Sequence, residues 1–223
     1  METERFSNES ERMLRIDVDG GVWVKPGAAV AYRGDIAFER RHTIGAPSLA
    51  DAVLRETAPL VKAAGKGRLY CGDRGAHVHI MRLSGQAIVV SWQELLAFEE
   101  TLRFESRLVG RGIGIAAGGM VVVTLSGHGA LALATHGRPL ELSVAQGESI
   151  CTDPHATVAW SANLTPSLKT DMSWRSAFGH GGHEAIQMSF EGAGVVYVQP
   201  YEDASRFKLS TRPLKKLAAA LAG

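Results

Sequence analysis

Only two cysteines, Cys71 and Cys151, occur in 223 residues, and neither has a Cys-x-x-Cys partner. That count supports neither a disulfide framework nor a thiolate metal site, so two buried free thiols in a reducing cytoplasm are the expectation. One-sided charge is missing as well. Lys and Arg number 24 against 23 Asp and Glu, for a net charge of +1, and no run of five like charges occurs. Such a chain has no field to attract nucleic acid or an anionic membrane, and its partners must be found by shape. Long apolar runs are also lacking. The longest, Ile113 to Leu125, is broken by Gly114, Gly118, Gly119 and Thr124 and falls short of the roughly 20 residues that a membrane helix needs. Met1 to Arg12 is polar and charged, without the apolar stretch of a secretory signal, so a soluble cytoplasmic protein is expected.

Proline is scarce, 8 residues against 25 glycines, and the glycines punctuate apolar segments of four to eight residues. This is a β-rich signature. Strands are predicted at Gly21–Val24, Ala28–Tyr32, Arg68–Cys71, His77–Leu83, Ala87–Ser91, Leu102–Val109, Val121–Leu125, Ala130–Thr135, Leu140–Val144, Val158–Trp160, Ala185–Phe190 and Val195–Gln199. One helix is predicted over 49–64: Ser48 serves as N-cap, Asp51 lies in the first turn, and Gly65 stops it. Leu49, Val53, Leu54, Leu60 and Val61 would form its buried stripe, with a kink at Pro59. A second short helix is predicted at Pro213 to Leu221, where Lys215 and Lys216 could favour a membrane surface or a partner.

The most informative feature is repetition. An aliphatic-Ala-aromatic triplet occurs at Val30-Ala31-Tyr32, Leu96-Ala97-Phe98 and Val158-Ala159-Trp160, and an aliphatic residue follows each aromatic by four positions, at Ile36, Leu102 and Leu164. A Gly-x-Gly occurs at 65–67, 127–129 and 192–194, with 31 residues from Gly65 to Leu96 and again from Gly127 to Val158. In that frame each Gly-x-Gly precedes its triplet, and the chain begins and ends in mid-repeat. The triplets read as core packing on one strand face, with an aromatic-lined pocket among Tyr32, Phe98 and Trp160 as the alternative. Gly-x-Gly reads as a turn or bulge requiring positive backbone angles.

Candidate chemistry is thin. His77 and His79 share a strand face, the arrangement with which cupin-type barrels begin a metal site, but Leu83 and Ser84 stand where a glutamate ligand is wanted. His180, His183 and Glu184 fall in a glycine-rich segment best read as an exposed hairpin loop. Gly110-Arg111-Gly112-Ile113-Gly114 lacks the βαβ surroundings of a dinucleotide loop. Glu94, Glu99, Glu100 and Glu105 read as the solvated face of a hairpin. No Gly-x-Ser-x-Gly elbow, phosphate loop or His-Glu-x-x-His occurs. No catalytic, cofactor or metal residue is therefore assigned, and no cofactor is expected.

Three stretches, 22–35 (Val22-Trp23-Val24-Lys25-Pro26-Gly27 onward), 152–160 (Thr152-Asp153-Pro154-His155 onward) and 190–200 (Phe190-Glu191-Gly192 onward), together resemble the altered-inheritance-of-mitochondria family, number twenty-four of that series. The resemblance spans roughly Ile16 to Tyr201, with the look of a short actinobacterial-type member. It implies a TRAP-like β fold and self-association, with a link to mitochondrial inner-membrane organisation in the eukaryotic members, and no catalytic residues. The RNA and tryptophan binding of TRAP itself is not implied, since no basic stripe with interleaved aromatics is present. The expectation is a mainly β protein, its antiparallel hairpins packed as a sandwich or barrel-like stack. A single domain spans 14–204, between a flexible segment 1–13 and a tail 205–223. Its expected role is that of a non-catalytic, homo-oligomeric scaffold or binding protein. The rival is a metal-dependent cupin-like enzyme or sensor built on His77 and His79.

Overall fold

The computed structural model describes residues 4–40, 59–109, 120–170 and 186–200. These form strands β1 (Phe6–Ser10), β2 (Met13–Val24), β3 (Ala29–Arg40), β4 (Val61–Cys71), β5 (His77–Ser91), β6 (Leu95–Glu99), β7 (Arg103–Val109), β8 (Met120–Thr135), β9 (Leu140–Val144), β10 (Ser149–Thr152), β11 (Thr157–Ser161), β12 (Thr165–Thr170), β13 (Ile186–Glu191) and β14 (Gly194–Val198). One sheet runs β3-β4-β2-β6-β8-β5-β11-β14-β9, with β1 on β2 and β7 on β8, and a second runs β10-β13-β12. Every pairing is antiparallel. The fold is mainly β, as expected, but the sheets do not close into a barrel: among the described residues β3 pairs only with β4, and β10 only with β13.

Three quasi-equivalent units build these two sheets. Each opens with a strand that ends in a tight turn, closed by Ala28 N–H to Lys25 O (3.0 Å), Glu94 N–H to Ser91 O (3.1 Å) and Ala156 N–H to Asp153 O (3.1 Å). Two residues later the triplet begins, and its strand pairs with the strand carrying the next Gly-x-Gly. Tyr32 faces Leu69, Phe98 faces Leu131, and Trp160 faces Val196, each partner two residues beyond its Gly-x-Gly. The register slips at the same place in each unit, at Val30, Leu96 and Val158, which makes the triplet's first residue a β-bulge. Thus each triplet belongs with the Gly-x-Gly that follows it. The described residues hold three such units, so the frame in which each Gly-x-Gly precedes its triplet is corrected.

The glycines have a common cause. Gly65, Gly127 and Gly192 carry φ of 135°, 117° and 116°, which few other residues adopt. A Cβ at the third position would strike the Arg33 carbonyl oxygen at Gly67, the Thr101 hydroxyl at Gly129 and Ser161 Cβ at Gly194. Beside them lie Ile36, Leu102 and Leu164, all buried, so the repeated spacing of that aliphatic residue places it over the glycine bend. The bend is sharp. Rings six residues apart would be separated by about 20 Å along an extended strand, yet the Tyr32 and Phe38 centroids lie 5.2 Å apart across Gly34.

Two expectations fail. The described end of the helix predicted over 49–64, Val61–Ala64, is strand: it pairs with Val24–Gly21 of β2, while Pro59 denies the preceding turn a donor. Residues 49–58 of that helix lie outside the described residues, as do the helix predicted from Pro213 and the tail 205–223. Within the segment 1–13, expected to be flexible, Phe6–Ser10 form β1, which pairs with β2 and buries Phe6 completely, while residues 1–3 lie outside the described residues. Among the described residues apolar burial falls into three clusters, one centred on each unit and each drawing residues from a neighbouring unit.

Candidate functional site

The units differ in one respect. In the second and third, the bulky triplet residues Leu96, Phe98, Val158 and Trp160 are fully buried. In the first, Val30 is 60% exposed and Tyr32 55%. The core-packing expectation therefore holds for two copies and fails for Val30 and Tyr32. The structure does not bring Tyr32, Phe98 and Trp160 together into a pocket: Phe98 packs on Trp23 and Phe104, Trp160 on Phe190, and Tyr32 on Phe38.

The cause of the difference lies in the junctions between units. At the first, the end of β2 pairs with β6, with Val24 opposite Ala97, Trp23 opposite Phe98 and Val22 opposite Glu99. At the second, β5 pairs with β11 in the same register, with Val90 opposite Ala159, Val89 opposite Trp160 and Ile88 opposite Ser161. Trp23 thereby covers the Phe98–Phe104 pair, its ring 5.4 Å from that of Phe104. Tyr32 and Phe38 occupy the equivalent positions in the first unit, with the same 5.2 Å edge-on geometry as Phe98 and Phe104. Among the described residues no strand pairs with the outer edge of β3. The result is an apolar edge of Val30, Tyr32 and Phe38 beside a cleft of about 330 Å3 lined by Asp17, Arg33, Gly34, Gly67 and Arg68. Arg68 Nε donates to Asp17 Oδ1 at 2.9 Å, a bond that raises the guanidinium pKa further.

The polar groups nearby are occupied in holding the backbone. Glu99 accepts from the Ala130 N–H at 2.7 Å and Glu100 from the Gly21 N–H at 3.1 Å, with Lys62 Nζ 2.8 Å from its other oxygen. Ser161 does the same in the third unit, accepting from the Val195 N–H at 3.0 Å. Glu94 is 5% exposed and accepts from Gln199 Nε2. The solvated face expected for these carboxylates therefore fails for buried Glu94 and half-buried Glu99, which clasp side chain and backbone, whereas Glu100, although it clasps Gly21, and Glu105 are exposed as expected. Lys25 Nζ lies 2.6 Å from both Asp73 Oδ2 and the Gln93 carbonyl. Burial alone would raise the Asp73 pKa, but Lys25 and Arg74 bring it below the usual carboxylate range.

His77 and His79 lie half-buried on β5, opposite Thr135 and Leu133. His79 Nε2 is 3.2 Å from the Gly137 carbonyl, and His77 Nε2 is 3.9 Å from Glu11 Oε2. Burial lowers the His79 pKa, against the pull of the Gly137 carbonyl. Among the described residues no group of three or more His, Cys, Asp or Glu could hold a metal ion. His180, His183, Glu184 and Gly110–Gly114 lie outside them. Of the two expected buried thiols, Cys71 is buried, its pKa pushed up to about 12 by desolvation, whereas Cys151 is exposed on β10; both are free. No helix of the described residues is long and apolar enough to cross a membrane.

The family model for mitochondrial biogenesis AIM24 matches residues 5–201. Seven chains of solved structures match as well. One is the crystal structure of a Streptococcus pyogenes protein, with 18% identity over 97% of this chain and 96% of that one and a TM-score of 0.67. That likeness is one of fold. No curated protein matches the chain.

Proposed function

The chain belongs to the mitochondrial biogenesis AIM24 family, and from that premise we propose that it is a non-catalytic, self-associating scaffold or binding protein. The observation that carries this reading is the outer edge of β3, with which no strand pairs among the described residues, and where Val30 and Tyr32 are exposed, with Phe38 beside them, although the counterparts of Val30 and Tyr32 are buried in the other units. An open apolar edge is a template for another strand, and burying the part of each side chain that is still exposed favours association. The roles of Glu94, Glu99, Glu100 and Asp73 in clasping turns and strands fit a framework rather than a reacting centre. Free Cys71 and Cys151 accord with work in a reducing cytoplasm.

Native mass spectrometry of the untagged protein tests the reading. The expected spectrum shows a homo-oligomer without a stoichiometric small adduct. A monomer at micromolar concentration would overturn self-association, and a stoichiometric metal adduct lost in His77→Ala would replace the scaffold with a metal-dependent activity.

A further inference from the structure

Two junctions between units are made within the chain, and the third has both its strands but, among the described residues, no pairing between them. In each made junction the residue two before the turn, Trp23 or Val89, faces the aromatic of the next triplet, Phe98 or Trp160. The corresponding strand of the third unit is β10, ahead of the turn opened by Asp153. Its counterpart to Trp23 and Val89 is Cys151. The triplet still without a facing strand is Val30-Ala31-Tyr32 on β3. Both strands end their sheets, and both carry exposed residues at the matching positions, Cys151 on one and Tyr32 on the other.

We infer that β10 of one copy of this chain pairs with β3 of the next, antiparallel, with Thr152 opposite Ala31, Cys151 opposite Tyr32 and Ile150 opposite Arg33. That register is the one found between Val24-Trp23-Val22 and Ala97-Phe98-Glu99, and again between Val90-Val89-Ile88 and Ala159-Trp160-Ser161. The pairing extends the strand order already present. The runs β4-β2-β6-β8 and β8-β5-β11-β14 gain a third equivalent, β13-β10-β3-β4, whose first half comes from one copy and second half from another. It lays β10 over the Tyr32–Phe38 ring pair as Trp23 lies over Phe98 and Phe104. The partner is a second copy rather than the chain's own other end, since among the described residues of one chain these two strands stay unpaired and Cys151 and Tyr32 stay exposed. The interface is heterologous: each copy offers two different edges, one to each neighbour.

This inference rests on the self-association proposed above and names its surface. Facing residues of an antiparallel pair have Cα atoms about 4.5–5.5 Å apart, within reach of a disulfide. Tyr32→Cys therefore gives a pair with the native Cys151, while Cys71 is buried and unreactive. The full-length Tyr32→Cys protein is oxidised mildly, run on non-reducing gels and mapped by peptide mass spectrometry, with its sedimentation measured in parallel. The expected result is a 32–151 disulfide joining separate chains in most of the protein. It should be absent from the native sequence and from Tyr32→Cys/Cys151→Ser. An associated protein that forms no 32–151 link, or forms it only inside one chain, overturns the edge assignment and leaves self-association standing. A protein that sediments as a monomer overturns both.

Discussion

Gly65 and Gly147 both adopt left-handed backbone, with φ of 135° and 85°, but they differ in what a side chain would meet. A Cβ at Gly65 would strike the Asp35 carbonyl oxygen, whereas nothing lies within 4 Å of one at Gly147. Gly147→Ala should cost about 1 kcal/mol from backbone strain alone, and Gly65→Ala at least about 2 kcal/mol more as β3 is pushed off β4; urea unfolding compares them. Lys25→Met should cost about 1–3 kcal/mol, because it removes the partner of both Asp73 Oδ2 and the Gln93 carbonyl, leaving Asp73 only its bond from Arg74. His79 supplies a pH dependence. Its folded pKa is below the 6.5 of the unfolded chain, owing to burial, so below that pH the unfolded state binds the proton more tightly. Stability is then full above pH 6.5 and falls as the pH drops through it, and His79→Gln should flatten the decline in thermal melts taken between pH 7.5 and 5. The sequence revealed the glycines but not the work of Glu94, Glu99 and Glu100. Their partners are the backbone or side chains of Gln199, Ala130 and Gly21, at separations no local pattern can show.

At the scale of strands, the triplets were legible as a repeat and the Gly-x-Gly motifs as bends. Their pairing was not. Two copies share a 31-residue spacing that links each Gly-x-Gly to the triplet after it, yet hydrogen bonding joins each to the triplet before it. Sequence distance recorded the period and could not fix the frame. The helix predicted up to Ala64 failed for a related reason: Val61–Ala64 has helical spacing but lies between β2 and β3, and two long-range ladders outweigh local preference. Equivalence of the units makes a prediction. Phe98→Ser should destabilise the chain by about 3–5 kcal/mol, as loss of a fully buried ring does, whereas Tyr32→Ser should change the isolated chain's stability by no more than about 0.5 kcal/mol. Unfolding of the two variants at submicromolar protein, where association is weakest, compares them directly.

For the whole molecule, three units with matching registers are joined by two junctions, and the edges of β3 and β10, unpaired among the described residues, are where the proposed third would form. The mainly β class and the family were legible because both rest on motif order along the chain. The open ends were not, since whether a repeated sheet closes depends on curvature accumulated over many strands. A heterologous junction across copies has a signature that no symmetric contact shares. Tyr32→Lys disables β3 and leaves β10 whole, and Cys151→Lys does the reverse. The most direct measurement is sedimentation velocity of the native protein, of each variant alone and of their equimolar mixture. The native protein should be oligomeric, each variant monomeric, and the mixture a one-to-one dimer held by its single intact junction. Variants that still assemble alone, or a mixture that stays monomeric, would contradict the third junction.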